Sequence, residues 1–329
     1  MSAEKQELAP PRVALVSTVR NPGPSIRSFV EHHLVAGFAK IYLFFDDPED
    51  VWVDAVPESD RVDVIACDAD VRASWMEWPD PSEIDVQVMV RQILNAELAL
   101  QIARSQRIEW LVHLDGDELL DYPRDVSTFF AALDPKIQQV TFANLEVLPE
   151  RADVADMFLE LTLFKRHPRD LPGGRFSAAQ ANVVAECRHA PNRWFYYYTI
   201  GKSAVRVAPG VVPHGVHFFR DAAGRTEGAR VQSPRVLHYM NAGFENFWRR
   251  YQTWGRFPDY WLGGERIVDR IGDFHVLARD VVAQGDRDAA RRFYEERVVM
   301  NDRALASRLI DAGVCERIQE PANRLMRAR

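Results

Sequence analysis

The sequence predicts an α/β fold, a mostly parallel sheet with helices on both faces and a helical C-terminal region. Three observations predict it. Apolar, β-branched runs alternate with stretches of helical period through the first half of the chain. Repeated strand–helix–strand units close by right-handed crossovers into parallel sheet. Several of the runs also stop abruptly at polar or acidic residues, at the edge where open α/β sheets hold their ligands.

Taken in order, residues 13–19 form the first strand, bounded by Asn21-Pro22-Gly23-Pro24. Ser25 is placed to cap a helix in which Ile26, Phe29, Val30, His33 and Leu34 recur at helical spacing. Residues 41–45 and 61–66 read as the second and third strands, and 83–105 as the longest helix, with Gln87, Arg91, Gln92 and Asn95 as its polar stripe. A strand over 109–114 ends in an acidic turn. A helix over 126–133, a strand over 138–148 and an apolar segment over 157–164 follow. Residues 166–192 are irregular, and specificity tends to reside in such loops. Strands are expected over 194–200, 203–207 and 235–239, then helices over 243–252, 276–284 and 286–312. The organisation implied is one α/β domain over 11–240 with a helical region, 241–329, packed on it.

The most informative stretch is the end of the fourth strand, where Asp115, Asp117 and Glu118 crowd into one turn behind Trp110, Leu111, Val112 and Leu114. Clustered carboxylates raise one another's pKa and repel. A divalent cation removes that cost, and Mg²⁺ or Mn²⁺ prefers such hard oxygen ligands. Gly116 lets the turn approach a ligand closely; the ordinary alternative is a solvated turn. Thr18, Arg20 and Asn21 follow the first strand, and Asp46 and Asp47 the second, all on the same edge. His214, His217 and His238 are the downstream nitrogen donors, too loosely arranged for a zinc site. Gly201-Lys202-Ser203 lacks the upstream glycine of a phosphate-binding loop, so an NTPase is rejected. Lys202 and Arg206 instead become candidates to meet a diphosphate. The aromatic run 194–198 could stack on a sugar, although aromatic strands more often belong to the core. Glu245, in the first turn of a helix, suits the helix dipole and is also a candidate general base.

Composition bounds the rest. With 47% hydrophobic and 27% charged residues over 329 positions, the chain is globular, and a net charge of −7 gives no bulk support for a nucleic-acid partner. Three scattered cysteines form no CxxC pair, which fits a reducing, cytoplasmic setting. No apolar run reaches the ~20 residues of a membrane span. Peripheral association with a membrane stays open.

Read as a set, these segments resemble family-2-type glycosyltransferases of GT-A fold, close to the group related to family 92. The resemblance runs over most of 12–260. It rests on Val-Arg-Asn-Pro-Gly-Pro (19–24), the Glu31-His32-His33 helix, Ile-Tyr-Leu-Phe-Phe-Asp-Asp (41–47) and Arg91-Gln92-x-x-Asn95. Trp-Leu-Val-His-Leu-Asp-Gly-Asp-Glu-Leu (110–119), Gly-Lys-Ser-Ala-Val-Arg (201–206), Gly-Val-His-Phe (215–218), Leu-His-Tyr (237–239) and 243–251 extend it. It implies a Rossmann-like GT-A sheet and transfer of a sugar from a UDP- or GDP-sugar to a glycan, lipid-linked or small-molecule hydroxyl acceptor. Thr18, Arg20, Asn21, Asp46, Asp47, Arg91, Asp115, Lys202 and Arg206 would hold the donor. Asp115 and Asp117 would reach Mn²⁺ or Mg²⁺, with His217 or His238 as a further ligand. Glu245 would be the base of an inverting reaction. A sugar-nucleotide nucleotidyltransferase and a non-catalytic carbohydrate-binding protein are the rival readings. The first should carry a Gly-rich loop after the first strand; the second has no need of clustered acids.

Overall fold

The computed structural model describes residues 9–187, 194–225, 228–255, 257–260 and 264–329. The expected irregular segment thus lies outside the described residues from 188 to 192. β1 (Val13–Val19), β2 (Lys40–Phe45) and β3 (Val62–Ala66) pair in parallel. β4 (Trp110–His113) lies parallel on the other side of β1, giving the spatial order 3-2-1-4. A tight turn leads to β5 (Glu118–Asp121), then β6 (Gln139–Val147), β7 (Leu163–Lys165) and β8 (Lys202–Arg206). β8 runs antiparallel between β4 and β6, and β7 pairs antiparallel with the C-terminal end of β6. β9 (Val212–His214) and β10 (Phe218–Arg220) form a separate hairpin. β11 (Ala229–His238) is parallel to β6 and antiparallel to β5, and β12 (Cys315–Arg317) closes the β7 edge.

Helices cover both faces at β1, which is why it opens on the continuous apolar run Val13–Val16 rather than an alternating pattern. Val13 and Leu15 face one core with Phe29 and Val30 of the helix Ile26–Val35. Ala14 and Val16 face the other with Ala96, Ala99 and Leu100 of the helix Val88–Ser105. Phe29 is fully buried, so its truncation to Ala is expected to cost about 3–5 kcal/mol. A third core gathers Phe247, Tyr251, Phe274 and Tyr294 from the helices Phe244–Trp254, Phe274–Ala283 and Arg287–Arg297. The Tyr294 hydroxyl fixes the start of the first of these, donating to Asn241 O (2.7 Å) and accepting from Gly243 N (2.8 Å). Among the described residues no helix is long and apolar enough to cross a membrane.

The α/β class is as predicted, and several boundaries differ for identifiable reasons. The helix expected over 83–105 breaks at Gln87, whose backbone is extended (φ −113°, ψ 104°), into Ser82–Val86 and Val88–Ser105. That over 286–312 restarts at Asp302, which caps Arg303–Asp311 by accepting from Leu305 N (2.9 Å). Ser25 does not cap its helix; its hydroxyl accepts from Met157 N. Segment 157–164 splits into the helical turn Met157–Glu160 and β7, and 235–239 is the end of a strand that begins at Ala229. The run 194–200 is not a strand. Glu146 instead accepts from the Tyr196 and Tyr197 amides (3.0 and 3.1 Å), replacing a ladder with a side chain.

Candidate active site at the ends of the parallel strands

β1, β2 and β4 end side by side, and their register brings three polar loops to one edge. Thr18 accepts from Asn95 Nδ2 (3.1 Å) across to the long helix. Asp46 is buried and held as a fork by Arg91, Nε to Oδ1 at 2.6 Å and Nη2 to Oδ2 at 3.0 Å. Arg20 and Arg72 approach the same carboxylate at 3.7 and 3.9 Å, so three guanidiniums face one acid. Arg20 keeps 45% of its side chain exposed, open to an anionic ligand.

At the end of β4 the turn 115–118 presses on β1, and a Cβ on Gly116 would lie 2.5 Å from Val19 Cγ1. The Asp115 amide donates to Glu118 Oε2 (2.7 Å), closing the turn on itself. Asp115 accepts from Gln92 Nε2 (2.9 Å) and pairs with Lys202 Nζ (2.8 Å). Asp117 pairs with Arg250 (2.5 Å), with His238 Nε2 at 3.7 Å. Glu118 is fully buried, accepts from the Tyr198 hydroxyl and lies 3.8 Å from Lys202. Its partners are therefore a lysine and a tyrosine. Burial and the adjacent Asp115 and Asp117 hold the Glu118 carboxyl well above the usual carboxylate range, against the pull of Lys202. Burial would also raise Asp117, but Arg250 and His238 override it and the net shift is downward. Two anions then face two cations.

The expected site residues separate into those the structure gathers and those it does not. Thr18, Arg20, Asp46, Arg91, Asp115, Asp117 and Lys202 lie on or against this edge. Asn21 caps it as a joint: its amide donates to Asp50, its side chain meets Trp52 and Thr253, and its carbonyl accepts from Arg249. Asp47 only closes its own turn, accepting from Glu49 N (3.1 Å). Arg206 is at the wrong end. β8 runs antiparallel to β4, so Arg206 sits beside Trp110 while Lys202 reaches the acids, roughly 13 Å further along at ~3.4 Å per residue. Glu245 pairs with Arg287 on the surface, its side chain 58% exposed, and among the described residues nothing joins it to the acidic turn. His217 Nδ1 bonds to Gly201 O (2.9 Å) and its ring lies on Tyr198. Burial and Lys202 bring its pKa down to about 3.

The four residues expected to ligate a metal are consequently not assembled as one. Among the described residues no group of three or more His, Cys, Asp or Glu is placed to hold an ion. The donor chemistry points the same way. A cation on Asp115 and Asp117 would stand against an ammonium and a guanidinium already bonded to them. Unit charges ~4 Å apart repel by about 4 kcal/mol at an effective dielectric of 20, and a dication doubles that. The residues as arranged do not fit the metal, and the repulsion among the acids is relieved by Lys202 and Arg250 instead.

Arg250, Gln92 and Tyr198 were not assigned from the sequence. Gln92 and Tyr198 stood in stretches that had been singled out, the polar helix stripe and the aromatic run. Arg250 had one signal, that three crowded acids require cations from somewhere, but not its address.

No protein-family model matches the chain. Two Arabidopsis thaliana proteins described as glycosyltransferase-like are similar to it. One is 27% identical over 255 residues, covering 75% of this chain and 54% of the relative. The other is 27% identical over 243 residues, covering 71% and 45%. The chain thus spans about half the length of the curated relatives it matches. Among solved structures, TarS of S. aureus aligns with TM-score 0.28 at 11% identity, covering 60% of this chain and 28% of that one. Core-mannan synthase A of Aspergillus fumigatus, in an Mn/GDP form, aligns with TM-score 0.25 at 14% identity, covering 46% of each. Likenesses at this level carry no argument.

Proposed function

We propose that this protein is a glycosyltransferase that moves a sugar from a UDP- or GDP-sugar to a hydroxyl on a glycan, lipid-linked or small-molecule acceptor. The observation that carries the reading is the carboxylate pair Asp115 and Asp117 on a strand-end turn, set beside the Arg-bound Asp46 at the ligand edge of a parallel sheet. The glycosyltransferase-like relatives support it. In this reading Thr18 and the Asp46–Arg91 fork shape the nucleoside end, and Asp115 accepts from ribose hydroxyls. Arg20 meets the diphosphate, whose charge grows as the glycosidic bond to the donor breaks. Inversion was expected from Glu245 as base; with Glu245 tied to Arg287 at the surface, that expectation loses its support.

A nucleotidyltransferase fits less well, because the loop after β1 is already filled. Gly23, where a phosphate cradle would need open backbone, has the Arg249 guanidinium packed against it. The test is thermal unfolding with UDP, GDP and a panel of their sugars, followed by detection of released nucleoside diphosphate. A ligand at 100 times its Kd stabilises by about 2.7 kcal/mol. No shift with any of these compounds contradicts the reading.

A further inference from the structure

Resting on the nucleotide-sugar reading above, we propose that Lys202 and Arg250 are resident counter-ions that take the charge role of a divalent cation, so that a nucleoside diphosphate binds at this edge without metal. Both cations are built into rigid elements rather than lent by the surface. Lys202 is completely buried on β8, donates to Val216 O (3.1 Å) and bridges Asp115 and Glu118 with its ammonium 5.6 Å from the Tyr198 ring. Arg250 projects from the helix Phe244–Trp254, lies over Trp254 (5.5 Å) and keeps only 13% of its side chain exposed. Each acid is thus neutralised at bonding distance by a group that cannot leave without opening a core.

Positive charge for the ligand lies next door. Asp46 is met by Arg91, Arg20 and Arg72, so that subsite carries more guanidinium than carboxylate before any ion is added. Low-dielectric surroundings strengthen such fixed charges, and no reorganisation is needed when the ligand arrives. Lys202 and Arg250 act here as positioning residues. They set the charge and orientation of Asp115 and Asp117, which then hold hydroxyls instead of a metal.

The experiment is calorimetric titration of UDP and of GDP into the full chain, in EDTA and again in Mn²⁺, with thermal unfolding in Mn²⁺ alone. For the wild type the tighter nucleotide should bind with a Kd unchanged within about threefold between the two conditions, and Mn²⁺ alone should not move the melting temperature. Arg250→Gln frees Asp117 and should create a Mn²⁺ requirement: about tenfold weaker binding in EDTA, recovered by Mn²⁺, while Arg250→Lys stays metal-independent. Wild-type binding that appears only with Mn²⁺ overturns this proposal and leaves the nucleotide-sugar reading standing. Absence of binding by either nucleotide in both conditions overturns both. Should Arg250→Gln fail to fold, the wild-type comparison decides alone.

Discussion

Lys165 and Lys202 are fully buried lysines on two strands that both pair with β6, and each meets a carboxylate. Lys165 pairs with Glu146, donates to Trp194 O (2.8 Å), and has the rings of Trp194, Phe195 and Tyr196 within 5.7 Å. Glu146 is itself buried and spends its remaining acceptors on backbone amides. Lys202 meets Asp115, whose side chain is 26% exposed at the mouth of the sheet. The same pairing chemistry is therefore closed in one place and open in the other. The closed pair is a staple holding an irregular segment; the open one presents a neutralised carboxylate to a ligand.

Breaking the staple should have the largest effect. Lys165→Met strands the Glu146 charge and should cost about 3–5 kcal/mol in urea unfolding; a loss below about 1 kcal/mol would equate the two pairs. Acid comes next. Burial holds His32, bonded to Leu120 O, down to about 4 from 6.5. A depressed pKa means the unfolded chain binds the extra proton, so this stability is present above pH 6.5 and lost as pH falls toward 4. Between pH 7 and pH 5 the loss is about 2 kcal/mol, read from unfolding free energies at the two pH values. Constant stability across that range contradicts it.

At the open pair, Asp115→Asn should weaken UDP or GDP by one to two orders of magnitude, as expected for about 1.5–3 kcal/mol of charged hydrogen bonding. Its fold should survive, since Lys202 keeps the Val216 carbonyl, and loss of the Asp115 charge removes one of the groups that hold Glu118 protonated beside it. Unchanged nucleotide affinity would remove Asp115 from the site. The smallest effect belongs to Glu245→Ala, which breaks an exposed pair worth under about 1 kcal/mol. Nucleotide release should be unaltered; a large drop in turnover would restore Glu245 as a base.

What the sequence could disclose follows the same division. The parallel strands were readable because their short apolar runs are bounded by turn residues and alternate with stretches of helical period, and the acid turn because its charges stop such a run. β5 was hidden inside that turn, where Glu118 and Asp121 bracket only two apolar residues. The aromatic run 194–198 looked like strand, yet its amides are claimed by a carboxylate some fifty residues upstream. Lys202 and Arg206 were equivalent on paper; only the antiparallel register of β8 on β4 decides which one faces the acids. Arg250 lies 133 residues from Asp117 in the chain, and nothing in its own segment, 243–251, points to that carboxylate.

Amide hydrogen exchange with saturating UDP or GDP tests the division most directly. Ligand should slow exchange at 18–21, 46–47 and 115–118, and leave 146–147, 163–165 and 194–197 unchanged. Protection around Glu146 and Lys165, or none at the strand ends, contradicts the assignment of the open pair as the site.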